Sequence, residues 1–321
     1  MTTRPGQRRA GARHIGTRSS RKRLILDSAT PAPVLVATDG SRVSSSAVKW
    51  ATLMAKRGAW APEAMTVLEP VPVSVGDMAL GSPAPEIHHA FTDSVLSRIR
   101  SQLKRHHASS WPMTLQFGRA APTIARLARE RESAMIVLGM GRHGRLARLV
   151  GAETAIRVAR LSDVPVLAVE GGVRHLPHRA LVAVDFGESS IRAAKEALAL
   201  LDPPGRLHLL HVRWALDGRP LYDESTEQTY ALGVEQSFTR LIESLTPREA
   251  GKIEITHEMQ LGGIIESMLS VADRIHADLV AAGSHSQNVV DRLLIGNTPA
   301  QLLRAAKCSV LIVPPNPPVS R

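Results

Sequence analysis

Short apolar runs recur along this chain, and each empties into glycine, serine or aspartate. The first, VLVAT at 34–38, ends at Asp39-Gly40-Ser41. Aliphatic runs of this length bounded by turn residues predict buried strands. Helical spacing of apolar residues follows from Ser44 to Lys56, with Ser44 placed to act as an N-cap. A weaker strand is expected at Met65–Leu68, then a Pro/Gly-rich loop from Pro70 to Pro85 and a helix from Glu86 to His107. Met113–Phe117 predicts a third strand, Pro122–Arg131 a third helix and Met135–Leu138 a fourth strand. That strand opens into a loop holding Gly139, Gly141 and Gly144. Gly151 is expected to open the next helix, which leads to a last strand at Val164–Val169. Five strands alternating with four helices predict a parallel sheet covered on both faces.

The order then repeats. VLVATDG at 34 returns as LVAVDFG at 181, MIVLGMG at 135 as LVAAGSH at 279, and VLAVEGG at 166 as VLIVPPN at 310, each offset by about 145 residues. Repetition at domain length indicates duplication. The chain divides into a basic arm (residues 1–30), one α/β domain over 31–171 and a second over 177–316, joined through Glu170–His178. Each half is expected to bury its own sheet, with the two packed through a shared surface.

Composition sharpens this reading. Apolar residues are 44% of the chain and aromatic ones only 3%, so the cores are filled by Ala, Val, Leu and Ile. One cysteine, Cys308, excludes internal disulfides and multi-cysteine metal sites; set against the apolar run SVLIV, it reads as a buried inert thiol. The net charge of +11 belongs largely to the arm. Residues 1–26 carry eight Lys or Arg and no acid, which leaves 32 basic against 29 acidic residues elsewhere. Such an arm has little to bury. It could meet RNA, DNA or an acidic lipid surface through counterion release, but it reads first as a solvated tail, and nucleic acid is not the expected partner. No apolar run reaches 18 residues and no hydrophobic segment follows the basic start, so a cytoplasmic protein is expected.

In an open parallel sheet a ligand sits beyond the carboxyl ends of the strands, where strand order reverses. Asp39 and Gly40 end strand one, and Gly139 to Gly144 end strand four. If these strands are neighbours, a carboxylate able to accept from a ribose hydroxyl or an adenine amine faces a glycine loop suited to phosphate. Asp39 has a second reading, as a turn residue before the first helix. Arg142, His143, Arg145 and Arg148 can hold phosphate oxygens or simply mark a charged helix start. Asp185 and Gly283 are the corresponding residues of the second half. No catalytic constellation is present. Walker spacing, a G-x-S-x-G elbow and metal-ligand spacing are all missing, and Ser284-His285 diverge as adjacent side chains. An enzyme is not expected.

Several stretches carry a family resemblance. VLVATDGSRVSSSAVKWA, FGRAAPTIARLARERESAMIVLG and GRHGRLARLVGAETAIRVARLSDVPVLAV in the first half resemble the universal stress protein family. So do LVAVDFGESSIRAAKEALALL and AGSHSQNVVDRLLIGNTPAQLLRAAKCSVLIVPP in the second. The resemblance implies two tandem flavodoxin-like, Rossmann-like domains, each a five-stranded parallel sheet. It also implies pairing of domains, within the chain or in a homodimer, a role in stress response, and in some members ATP binding, with Mg accompanying the ATP. The motif implied is Gly, two residues, Gly, nine residues, Gly and Ser or Thr. The first half has Gly141, Gly144 and Gly151, but six residues separate the last two and Ala152 takes the hydroxyl position. The second half has the spacing from Gly283 to Gly296, with Ser286 replacing the middle glycine, Asn297 at the hydroxyl position and Thr298 next. Three functions remain open: first an adenine-nucleotide-binding regulator, then a scaffold of the same fold without nucleotide, and behind both a nucleic-acid-associated protein working through the basic arm.

Overall fold

Val34, Leu35 and Val36 are each at most 2% exposed, so the first apolar run is covered on both faces, as a central parallel strand requires. The computed structural model describes residues 31–69, 85–141, 145–213, 223–245, 252–284 and 298–315. The first half runs β1 (Ala32–Ala37), α1 (Ser45–Ala55), β2 (Trp60–Leu68), α2 (Pro85–Arg105), β3 (Met113–Phe117), α3 (Ala120–Glu130), β4 (Met135–Met140), α4 (Arg145–Leu161) and β5 (Val166–Glu170). The second repeats it as β6 (Arg179–Ala183), α5 (Glu188–Leu200), β7 (Gly205–Arg213), α6 (Glu224–Leu245), β8 (Ile253–Leu261), α7 (Ile264–Arg274), β9 (Leu279–Gly283), α8 (Thr298–Ala305) and β10 (Ser309–Val313). The arm lies outside the described residues.

The ten strands form one sheet in the order β3-β2-β1-β4-β5-β10-β9-β6-β7-β8. Within each half all pairs are parallel; β5 and β10 are antiparallel, with Val166 opposite Ile312 and Ala168 opposite Val310. Two separate sheets were expected, and the difference has a plain cause. VLAVE and SVLIV are apolar almost throughout, and a strand of that kind left at an open edge offers unpaired N–H and C=O groups beside bare aliphatic surface. Pairing the two strands covers both.

The cores therefore run through both halves. On one face Leu167, Val169, Leu311 and Val313 pack under α1, α2, α5 and α6. On the other, Val166, Ala168, Val310 and Ile312 pack under α3, α4, α7 and α8. Each fully buried Val or Leu contributes on the order of 1.5–3 kcal/mol. Arg304 of α8 pairs with Glu153 of α4, and Arg57 donates to Leu201 O at 3.0 Å, so polar contacts also cross between the halves. Among the described residues no helix is long and apolar enough to cross a membrane.

Cys308 stands just before β10, beside a cavity of about 270 Å³ lined also by Leu269, Ala272 and Ala306. Burial, then the carboxylates of Glu170 and Asp278, push its thiol up to about 12. Since the thiolate is the reactive form, a disulfide reagent at about pH 8 will leave the native protein unmodified and will label Cys308 fully once the chain is unfolded in denaturant; absorbance of the released thiol checks both.

Candidate functional site

The strand order places β1 between β2 and β4, so the sheet reverses direction of growth between β1 and β4. Val34 to Val36 pair with Met135 to Val137, and the two carboxyl ends lie side by side. Asp39 and Gly40 thus share one rim with Gly139 and Gly141.

The β1–α1 turn is held from below by a polar cluster. Thr38 Oγ1 donates to Gln102 Oε1 (2.5 Å) and accepts from Gly40 N (3.1 Å). Gln102, fully buried on α2, donates from Nε2 to Ser41 O (2.7 Å). Ser44 Oγ donates to Asp39 Oδ1 (2.7 Å), and Ser41 N donates to the same oxygen (2.9 Å). Ser44 makes no side-chain bond to the helix N–H groups, so the N-cap expected of it is replaced by this contact with Asp39. Gly40 has φ +76°, and a Cβ there would lie 3.1 Å from Arg98 Cβ, so both conformation and space favour glycine. Thr38 and Gln102 escaped sequence reasoning. The available signal was a glutamine at an apolar-face position of α2, between Ile99 and Leu103.

Asp39 is exposed as a residue while its carboxyl is tucked into the turn. Burial alone would raise that carboxyl, but the hydrogen bonds from Ser41 and Ser44 outweigh it and hold the group below its ordinary value. The carboxylate is ionised at neutral pH. Oδ1 is committed to the turn; Oδ2 has no partner among the described residues and can accept from a ligand hydroxyl or amine.

The glycines divide into different roles. Gly139 is a packing position, since a Cβ there would sit 2.1 Å from Val43 O and 2.6 Å from Ser44 Cα. Gly283 repeats it against Ser189, at 2.5 Å from Oγ. Gly141 is buried at the end of β4, and residues 142–144, Gly144 included, lie outside the described residues, as do the side chains of Arg145 and Arg148. The expectation that Gly151 opens a helix is corrected: α4 begins at Arg145, and Gly151 lies within it. Its N–H falls inside the i to i−4 ladder, and Ala152 is 1% exposed in the core. Main-chain donors of this half are therefore those at and before the first turn of α4. In the second half Ser286, Gly296 and Asn297 lie outside the described residues, and Thr298 is the half-buried first residue of α8.

Asp185 repeats the turn, accepting at Oδ1 from Gly187 N (2.9 Å) and Ser190 Oγ (2.6 Å). Its surroundings differ. Val184 replaces Thr38, and Phe186, at φ +59°, stands in place of Gly40. That ring packs edge-on to Phe238 (5.1 Å) and tilted against His211 (5.1 Å). His211 contacts Val184 O and Tyr230 Oη, each at 2.8 Å, and Arg213, paired with Glu227, lies 4.3 Å over the Tyr230 ring. One half thus has a polar floor and the other an aromatic one. Among the described residues no group of three or more potential ligands is placed to hold a metal ion.

The sequence model of the universal stress protein family matches residues 32–170 and again 177–314. In structure the chain is similar to a universal stress protein from Archaeoglobus fulgidus DSM 4304, with TM-score 0.62 and 17% identity over 89% of this chain and 97% of that one. It is similar also to a functionally unknown protein from Pseudomonas aeruginosa PAO1, with TM-score 0.57 and 15% identity over 89% and 93%. A universal stress protein in complex with cAMP matches 43% of this chain and 97% of its own, with 24% identity and TM-score 0.30. At these identities the first two likenesses are ones of fold. No curated protein matches the chain.

Gly139→Ala drives its methyl to 2.1–2.6 Å from main-chain atoms, whereas Gly283→Ala meets a rotatable Ser189 Oγ at 2.5 Å and the Cβ and carbonyl carbon of the same residue only at 2.9 and 3.0 Å. Thermal unfolding will show the first losing about 2–3 kcal/mol and the second less. Asp39→Ala removes the acceptor of the turn and costs about 1 kcal/mol near neutral pH. Because the native carboxyl titrates below the unfolded value of 3.8, this contribution is complete above 3.8 and is lost as the pH falls through the native value. Urea titrations at a series of pH values will show wild type and variant converging only on that acid limb.

Proposed function

The chain belongs to the universal stress protein family, and from that premise we propose that it is a stress-response regulator binding an adenine nucleotide (ATP, ADP or AMP) in its first half, without dedicated catalysis. The observation that carries this reading is the ionised Asp39, with one oxygen uncommitted among the described residues, on the rim where β1 and β4 end together. Asp39 would accept from the ribose or base. The main chain at Gly141 to Gly144 and the first N–H groups of α4 would face the phosphates, with the helix start favouring their charge. Mg, where present, would arrive with the phosphates. The second half, with Phe186 and its aromatic neighbours in place of the polar floor, serves in this reading as the packing partner.

One observation favours a nucleotide-free scaffold of the same fold: Gly139, Gly283 and Gly151 are each occupied by packing or helix formation. Thermal shift separates the two. ATP, ADP or AMP, with and without Mg, is expected to stabilise the wild type by about 2.7 kcal/mol at a hundredfold excess over Kd. Asp39→Asn is expected to fold and to lose that shift. No shift with any of the three nucleotides would leave the scaffold.

A further inference from the structure

On one face of the first half, α1 and the C-terminal part of α2 carry cations and no acid; the acids of α2, Glu86 and Asp93, lie ahead of that part. From Ser41 to Gly58, across α1, the charged residues are Arg42, Lys49, Lys56 and Arg57. From Ser94 to Ser109, across the second part of α2, they are Arg98, Arg100, Lys104 and Arg105. All but the half-buried Lys49 are exposed. The two segments adjoin: Ser45 Oγ lies 2.7 Å from His106 Nε2, and Arg98 Cβ packs over Gly40. Among the described residues none of these eight cations forms an ion pair with a carboxylate. The field they make acts on His106, whose imidazole is held low first by burial and then by Arg105, Lys49 and His107.

The fold does not require this charge, and the second half supplies the control. The corresponding helices there carry Glu188, Arg192, Lys195 and Glu196 on α5, and Glu235, Arg240 and Glu243 on the second part of α6. The same packing is thus reached without a basic surface. Helix dipoles account for Lys104 and Arg105 in the last turn of α2, but they disfavour Arg42 ahead of α1, whose first turn has no acid.

We propose that the α1–α2 face of the first half is a docking surface for the phosphodiester backbone of nucleic acid, bound without regard to sequence. Arg and Lys interleaved with Ser97, Ser101 and Ser109 is a set suited to phosphate oxygens. Among the described residues the exposed large apolar side chains are Phe91, Phe117, Leu161, Leu232 and Met259; Phe91 lies on α2 seven residues before Arg98, and none lies on α1 or among the basic positions of α2, so the charged face itself carries no apolar wedge for a lipid bilayer. Ala32 N donates to Ala59 O, near Lys56 and Arg57, and residues 1–26 of the sequence carry eight further cations.

The test is fluorescence anisotropy of labelled duplex DNA and single-stranded RNA with the full chain, over a range of KCl concentrations. The wild type is expected to bind both, more weakly as salt rises. The variant K56Q/R100Q/K104Q/R105Q, which spares Arg98 beside the Asp39 turn and the bonded Arg57, is expected to bind at least about tenfold more weakly. Its slope of log K against log salt should be shallower by about 3, at roughly 0.7–0.9 per phosphate contact. Deletion of residues 1–30 should leave part of the slope, and unchanged circular dichroism and Tm will show that the variant folds. Binding should also raise the His106 pKa, read by NMR. Loss of all binding on arm deletion alone, or an unchanged slope in the fourfold variant, overturns the proposal. So does a variant that instead loses self-association in sedimentation, which would give the face to a second copy, or loses only binding to anionic vesicles. None of these outcomes depends on whether Asp39 holds a nucleotide.

Discussion

Backbone pairing between β5 and β10 is the constraint on which the architecture rests. Three residue pairs, Val166 with Ile312, Leu167 with Leu311 and Ala168 with Val310, turn two five-stranded sheets into one and let both cores run through the join. Without it each half would end in an aliphatic strand with its amides open to solvent. Side chains reinforce the join on both faces, where Arg304 meets Glu153 and Arg57 reaches Leu201 O, but such contacts are worth little beside the burial they border.

Much of this was legible in the sequence. VLVAT, MIVLG and MTLQF sit where their apolar runs placed them, and the repeat near 145 residues foretold a second copy of every strand. What was missed has local reasons. β2 begins at Trp60, five residues before the expected start, because Pro62 and Glu63 disguise it; β3 pairs with β2 only from Ala64, so the proline stands where that side has no ladder to break. Leu and Arg are strong helix formers and carry α4 back to Arg145, leaving Gly151 inside it. The β5–β10 pair joins residues more than 140 positions apart, and no local pattern reports it. Its trace is only that both strands are too apolar to be edges.

At the candidate site the rim position of Asp39 could be read, and the way its carboxylate is shared could not. That depends on Gln102, some sixty residues away, which supports from α2 the turn whose Ser41 and Ser44 bond the carboxylate. The duplicated turn at Asp185 keeps the Ser190 contact yet rests on Phe186, Phe238 and His211. Duplication preserved the main-chain geometry of the turn while the layer beneath it changed from amides and hydroxyls to rings. The outer helices diverged likewise, one pair with a basic surface and the other without, under a shared packing pattern.

Because β10 runs against β5 while every other pair is parallel, the strands of the two halves point in opposite directions. The Asp39 turn and the Asp185 turn consequently open toward opposite poles of the molecule. A push on one turn reaches the other only through what crosses the seam: the central ladder, the two continuous cores, and the Arg304–Glu153 and Arg57–Leu201 contacts.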